Sequence, residues 1–281
     1  MRFDIRHRAH YRYSAPVSLG PHVLRLHPRC DGSQQLLSFS CEIAPSPSLR
    51  CEALDEEGNV VVNAWFTGET SQLEIAVRME VETRRTNPFD YVPDVNCSSL
   101  PMRYPPAQAA TLARYREARQ SSAEAVELAD RLAANANNNP LAFLEALNTY
   151  LCENIVHEMR DSGGTKAPQT TLHEGKGASR DVAALFMAVC REQDFAARYV
   201  IGYQAHPAYD DEAHSVHAWP EIFIPGGGWR GFDPSHGLAV ADAHVALAAS
   251  IDSQSAVPVE GVYFGSAFES AMDLEVDVQT S

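Results

Sequence analysis

Gly177-Ala178-Ser179-Arg180-Asp181-Val182-Ala183-Ala184-Leu185-Phe186-Met187-Ala188-Val189-Cys190-Arg191 is the stretch on which the reading of the whole chain turns. Leu185, Phe186, Val189 and Cys190 recur at helical spacing, which predicts a helix from Asp181 to about Gln193 with one apolar face. Ser179 suits an N-cap, and Asp181 in the first turn favours the positive end of the helix dipole. Beyond the helix the period drops to two. Arg198–Gln204 and Ser215–Ile224 read as strands, Gly226-Gly227-Gly228 as a turn, and Trp229–Phe232 as a short third strand. Upstream lie a helix over Ala123–Asn135 and another opening at Asn139-Pro140, a cap followed by a first-turn proline. The second carries Phe143, Leu144, Leu147, Leu151 and Ile155 on one face. Helices followed by helix, strand, strand, strand make an α+β unit.

The chain before residue 86 is of a different kind. Phe3/Ile5, Ala9/Tyr11/Tyr13, Leu37/Phe39/Cys41/Ile43, Val60/Val62/Ala64/Phe66 and Leu73/Ile75/Val77/Met79/Val81 all alternate. Asp55-Glu56-Glu57-Gly58-Asn59 reads as a hairpin turn. The expected division is an antiparallel β domain over 1–86, a Pro-rich linker and surface segment over 87–122, the α+β core over 123–250, and C-terminal strands over 251–281.

The 281 residues carry a formal charge of −15, which argues against nucleic-acid binding because the chain repels phosphate. The charge is uneven: residues 1–29 hold six Arg and one acid, whereas residues 201–281 hold twelve acids and one Arg. The basic beginning is expected to face the acidic end. No apolar run is long enough to span a bilayer and Met1–Arg8 has no apolar h-region, so a cytoplasmic protein with no membrane partner is expected. The six Cys show no C-x-x-C pairing and are expected as small buried hydrophobes in a reducing compartment.

Three segments carry possible chemistry: Thr171–Asp181 with the helix after it, His217-Ala218-Trp219-Pro220-Glu221-Ile222-Phe223-Ile224, and Gly228-Trp229-Arg230-Gly231-Phe232-Asp233-Pro234-Ser235. In order and spacing they resemble the transglutaminase-like family, the branch of papain-like folds that uses Cys, His and Asp. The β-rich beginning resembles the N-terminal domain of its bacterial members. The resemblance implies a transglutaminase-like core with helices packed on an antiparallel sheet, preceded by an all-β domain. It also implies acyl transfer from an amide or peptide bond to water or an amine. Ser179 stands where the family has its nucleophilic Cys, Arg180 where it usually has Gln, and Ala184 where it has His. The implied roles are Ser179 as nucleophile or its relic, His217 as base and Asp233 as the carboxylate orienting it. Arg180 and Trp219 are candidates for the substrate cleft. No cofactor is implied, and the expected partner is a peptide or protein.

Each residue also has a plain structural reading. Ser179 serves as a cap, His217 as an ordinary strand histidine on the face opposite Val216, Ala218, Ile222 and Ile224, and Asp233 as a turn former before Pro234. Two rival functions stay open. One is a peptide- or amide-binding module that keeps the cleft without turnover, because a Ser hydroxyl stays protonated where a Cys would rest as thiolate. The other is a metal centre among His206, His214, His217 and His236 with Asp210, Asp211 and Glu212. Against it, His214 and His217 are three apart on a strand and point to opposite faces, so no metal site is expected.

Overall fold

The computed structural model describes all residues except 96–97, 119–120, 161–162, 206–215 and 267–268. His206, Asp210, Asp211, Glu212, His214 and Cys97 therefore lie outside the described residues. Strands β1 (Arg2–Leu24), β2 (Gln34–Ala44), β3 (Leu49–Leu54), β4 (Val60–Trp65) and β5 (Glu69–Thr83) come first, without a helix among them. Helices α1 (Pro106–Arg116), α2 (Ala123–Asn135) and α3 (Pro140–Asn154), strand β6 (Val156–His157), helix α4 (Pro168–Glu174), strand β7 (Lys176–Gly177) and helix α5 (Ser179–Glu192) follow. The rest is strand: β8 (Ala197–Gln204), β9 (His217–Ile224), β10 (Gly228–Asp233), β11 (Leu238–Ala239), β12 (His244–Ser250), β13 (Val259–Gly265) and β14 (Ser270–Thr280).

The two short runs at the start of the sequence fuse into one 23-residue strand, β1. It is the spine of a seven-stranded antiparallel sheet of order β2-β5-β1-β4-β3, in which β13 and β14 also pair with β1. Strand β14 lies against Phe3–Tyr13 and β13 against Val17–Leu24, so the C-terminal strands complete the N-terminal sheet. The basic start and acidic end of the chain meet across this ladder: Arg8 faces Glu275, Arg12 faces Asp273 and Arg25 faces Glu260.

The second sheet runs β11-β10-β9-β8-β12. Helix α5 packs on one face, where Leu185, Phe186 and Val189 meet Ala218, Ile222, Ile224 and Phe232 in a core shared with α2 and α3. Tyr203, Val245 and Leu247 join Phe3, Ile5, Leu73 and Ile75 in a second core between the two sheets. The outer edge of β12 is capped by two buried side-chain amides from the N-terminal region. Gln34 exchanges hydrogen bonds with the N–H and C=O of Ala246, both at 2.8 Å. Asn59 does the same with Ala249, at 2.8 and 2.9 Å. A primary amide carries the donor and acceptor of a peptide unit, so each side chain stands in for a missing neighbouring strand.

Three expectations need correction. The 87–122 segment is not all surface: Leu100, Met102 and Tyr104 are buried, and α1 forms within it. Helix α1 is Ala-rich and buries only Leu112, so it lacks the apolar stripe by which a helix is recognised. It docks through Arg114 and Tyr115, which both bind Glu57 in the β3–β4 turn. Helix α4 begins inside residues 162–171, which the Gly and Thr residues of the sequence predict to be a loop. Finally, of the described cysteines only Cys190 is buried; Cys30 and Cys51 are exposed, and Cys41 and Cys152 half-buried. Strand β3 is an edge strand exposed along its whole length, which carries Cys51 outward.

Candidate active site

Helix α5 begins at Ser179, with Ala178 at the N-cap. Ser179 is therefore the first helical residue, and its side chain does not cap. That task falls to Asp181, whose Oδ2 accepts from the backbone N–H of Ala178 at 2.9 Å. The other oxygen accepts from the Lys166 N–H at 2.7 Å and from the Arg160 guanidinium at 2.9 Å. The wholly buried Asp181 thus ties Arg160 and Lys166 to the helix start. With capping duty removed, Ser179 Oγ makes no hydrogen bond among the described residues and lines a cavity of about 930 Å³.

His217 opens β9 and Asp233 closes β10, the neighbouring strand. His217 Nε2 lies 2.9 Å from Asp233 Oδ2. An ionised carboxylate only accepts, so Nε2 carries the proton of this pair, and in the neutral ring the lone pair is on Nδ1. His217 lines the cavity with Ser179 and Arg180, although no hydrogen bond joins His217 to Ser179 among the described residues.

Asp233 is 0% exposed and takes two further imidazoles on the same oxygen, His236 Nδ1 at 3.1 Å and His244 Nε2 at 3.0 Å. Its other oxygen accepts from the Ser235 N–H at 3.2 Å. Burial alone would raise the Asp233 pKa, but the charge of His217 and the hydrogen bonds from His217, His236 and His244 hold it well below the ordinary carboxylate value. Burial outweighs the attraction of Asp233 at His244 and lowers that imidazole. The sequence offered His236 only as a rival metal ligand and not as a partner of Asp233, and His244 sits on β12, a strand with no clear pattern of its own.

Arg180 lines the cavity, and its guanidinium donates to the Arg160 carbonyl at 2.7 Å. Trp219 does not. It is 1% exposed and lies beneath the site, stacked 6.1 Å from His217 and edge-on 5.2 Å from His244. The close cover of Gly202 and Gly231 makes this burial possible. A Cβ at Gly202 would fall 2.7 Å from the Trp219 ring and 2.0 Å from the Val245 carbonyl oxygen; one at Gly231 would fall 3.2 Å from the ring. Trp219 thus fixes the back of the His217 ring and touches no ligand space.

The opposite wall of the cavity comes from the N-terminal sheet: His7, Ala9 and Tyr11 of β1 with Met272, Asp273 and Leu274 of β14. Nothing local in those strands signals this role, which arises only from the packing of the two sheets. The half-buried Cys152 thiol is pushed up by burial and by the charges of Asp233 and Glu153, and burial pushes Cys190 far up, so both are poor nucleophiles. Among the described residues no helix is long and apolar enough to cross a membrane.

A structure from Cytophaga hutchinsonii, described as that of a candidate cysteine protease, superposes over 100% of this chain and 91% of its own with a TM-score of 0.71 at 20% identity. An uncharacterized protein of Mycobacterium leprae is 24% identical over 99% of this chain and 98% of its own length. An uncharacterized protein of Mycobacterium tuberculosis is also 24% identical, over 99% of this chain and 92% of its own length. Residues 3–82 match the bacterial transglutaminase-like N-terminal region, and residues 126–234 match the transglutaminase-like superfamily core. With both regions matched in order and one fold spanning the whole length, the chain belongs to the transglutaminase-like superfamily.

Proposed function

We propose that the protein is an acyl-transfer enzyme or peptide/amide hydrolase of weak or altered activity, in which Ser179 occupies the nucleophile position. His217 is its base and Asp233 orients that base. The carrying observation is the buried His217–Asp233 pair, which leaves the His217 lone pair on Nδ1, beside a cavity that also exposes the unbonded Ser179 hydroxyl at a helix start. A serine must give up its proton during attack, so it needs that lone pair more than a cysteine would. Backbone N–H groups in the first turn of α5 are suited to stabilising the oxyanion. The substrate is a peptide or protein, in keeping with an open cleft walled by both sheets. A cytoplasmic location accords with the described cysteines being free thiols.

Hydrolysis of a generic amide tests this reading. Ser179→Ala should abolish it, iodoacetamide should leave it unchanged, and Ser179→Cys should raise it because a thiolate forms at neutral pH where an alkoxide does not. Inhibition that tracks labelling of Cys152 or Cys190 would overturn the assignment. A second reading, a binding module without turnover, is favoured by the absence of a hydrogen bond from His217 to Ser179. No gain from a folded Ser179→Cys variant would select it.

A further inference from the structure

Three imidazoles on one buried carboxylate oxygen exceed what orientation of a single base requires. One ring nitrogen each of His217 and His236 and a carboxylate oxygen of Asp233 all lie within 4.8 Å of one another. The separations from Asp233 Oδ2 to His217 Nε2 and His236 Nδ1 are 2.9 and 3.1 Å. Metal–ligand bonds of about 2.0–2.1 Å in a tetrahedron set neighbouring ligand atoms about 3.3 Å apart, so the oxygen–nitrogen edges need only a few tenths of an ångström of expansion. The donor set is two neutral nitrogens and one carboxylate, the set that suits zinc and its neighbours over calcium or magnesium.

We propose that His217, Asp233 and His236 form a binding site for one divalent transition-metal ion of the zinc class. His244 serves as the outer partner that donates to Asp233. The division between ligand and outer partner follows from tautomers. A ligating imidazole must move its proton to its other nitrogen. In His217 that nitrogen is Nδ1, on the ring that borders the cavity. In His244 it is a buried Nδ1 with no hydrogen-bond partner, so moving the proton there would strand a donor in the interior. His244 therefore keeps its proton on Nε2 and its 3.0 Å bond to Asp233, as outer partners of metal ligands commonly do. The fourth position is open to water.

The ion changes what the site does. With the metal on Nε2, His217 carries its proton on Nδ1 and cannot take one from Ser179. The metal-bound protein is a closed form of the site and the metal-free protein an open one. This consequence rests on the role proposed for His217, whereas the metal site rests on the geometry alone.

Titration of the metal-free full chain with Co²⁺, followed by visible absorption, and with Zn²⁺, followed by calorimetry, reads the site without any turnover. One equivalent should bind, and His236→Ala should weaken binding at least tenfold. A His206→Ala/His214→Ala variant should bind as the parent does. Circular dichroism checks the fold, and His236→Asn replaces His236→Ala if the latter does not fold. Absence of saturable binding would overturn the proposal, as would equal affinity in the His236 variant or loss of binding in the His206/His214 variant. If binding follows the prediction while no Ser179 variant shows hydrolysis, the metal site stands and the catalytic reading falls.

Discussion

The two sheets handle charge in opposite ways. On the N-terminal sheet Arg2 pairs with Glu80, Arg8 with Glu74 and Glu275, and Arg12 with Asp273, with side chains roughly one-third to three-quarters exposed. In the helix-backed core, Asp181 and Asp233 are wholly buried and each is surrounded by donors. Exposed pairs gain little because water screens them; a buried charge is costly unless every lone pair is met. The first region therefore uses charge to choose a strand partner, and the second uses it to hold a constellation in place.

That contrast can be broken by mutation. Asp181→Ala should cost the most, about 3–5 kcal/mol, because Arg160 and two backbone N–H groups lose their acceptor in the interior. Urea unfolding measures it, and a loss below about 1 kcal/mol would mean that the helix start holds itself. Next come the amides joining the two sheets. Asn59→Ala, which leaves the N–H and C=O of Ala249 without partners, and Gln34→Ala, which strands the N–H of Ala246 while its C=O keeps the Arg29 N–H, should each cost about 1–3 kcal/mol. If either variant matches the parent, the edge of β12 does not depend on the N-terminal region.

The dependence on pH comes third. Burial lowers His7 from 6.5 to about 4, and its Nδ1 lies 2.9 Å from the Tyr203 hydroxyl at the sheet–sheet junction. Between those pH values the unfolded chain binds a proton that the native chain refuses. Stability is therefore full above about pH 6.5 and falls as the pH drops toward 4, by about 2 kcal/mol at pH 5. His244, also lowered, acts in the same direction; the depressed Asp233 loses its contribution only further down. The difference in urea midpoint between pH 7 and pH 5 should shrink in His7→Gln, and an unchanged difference would contradict the account. Smallest of all, Arg12→Ala should cost no more than about 1 kcal/mol and less in high salt.

Legibility in the sequence followed the same line. Strand β1 alternates buried and exposed residues over Arg2–Ala9, so its period is visible, and the Arg-rich start and acid-rich end foretold the pairing of β1 with β14. Helix α5 was visible because ten of its residues are buried on a wide face. By contrast β12 has only one residue that is not buried, so it does not alternate and was not read as a strand, whereas β8 was read as one although it is buried along nearly all its length. The His217–Asp233 pair was reached through motif order. The ring of His236 and His244 around Asp233 was not, because it needs a turn and a strand that no local pattern announces. Trp219 was misplaced for a related reason: sharing a strand face with His217 does not say whether that face is open, and Gly202 and Gly231 close it.

In the proposed site the His217–Asp233 pair presents a basic nitrogen to the residue at position 179. The rate of iodoacetamide alkylation of the Ser179→Cys variant, measured from pH 5 to pH 9 with and without His217→Ala, tests it most directly and needs no substrate. The introduced thiol should react as a thiolate well below pH 8.5, and adding His217→Ala should return its profile to that of an ordinary thiol. A profile centred near pH 8.5 in both proteins would contradict it.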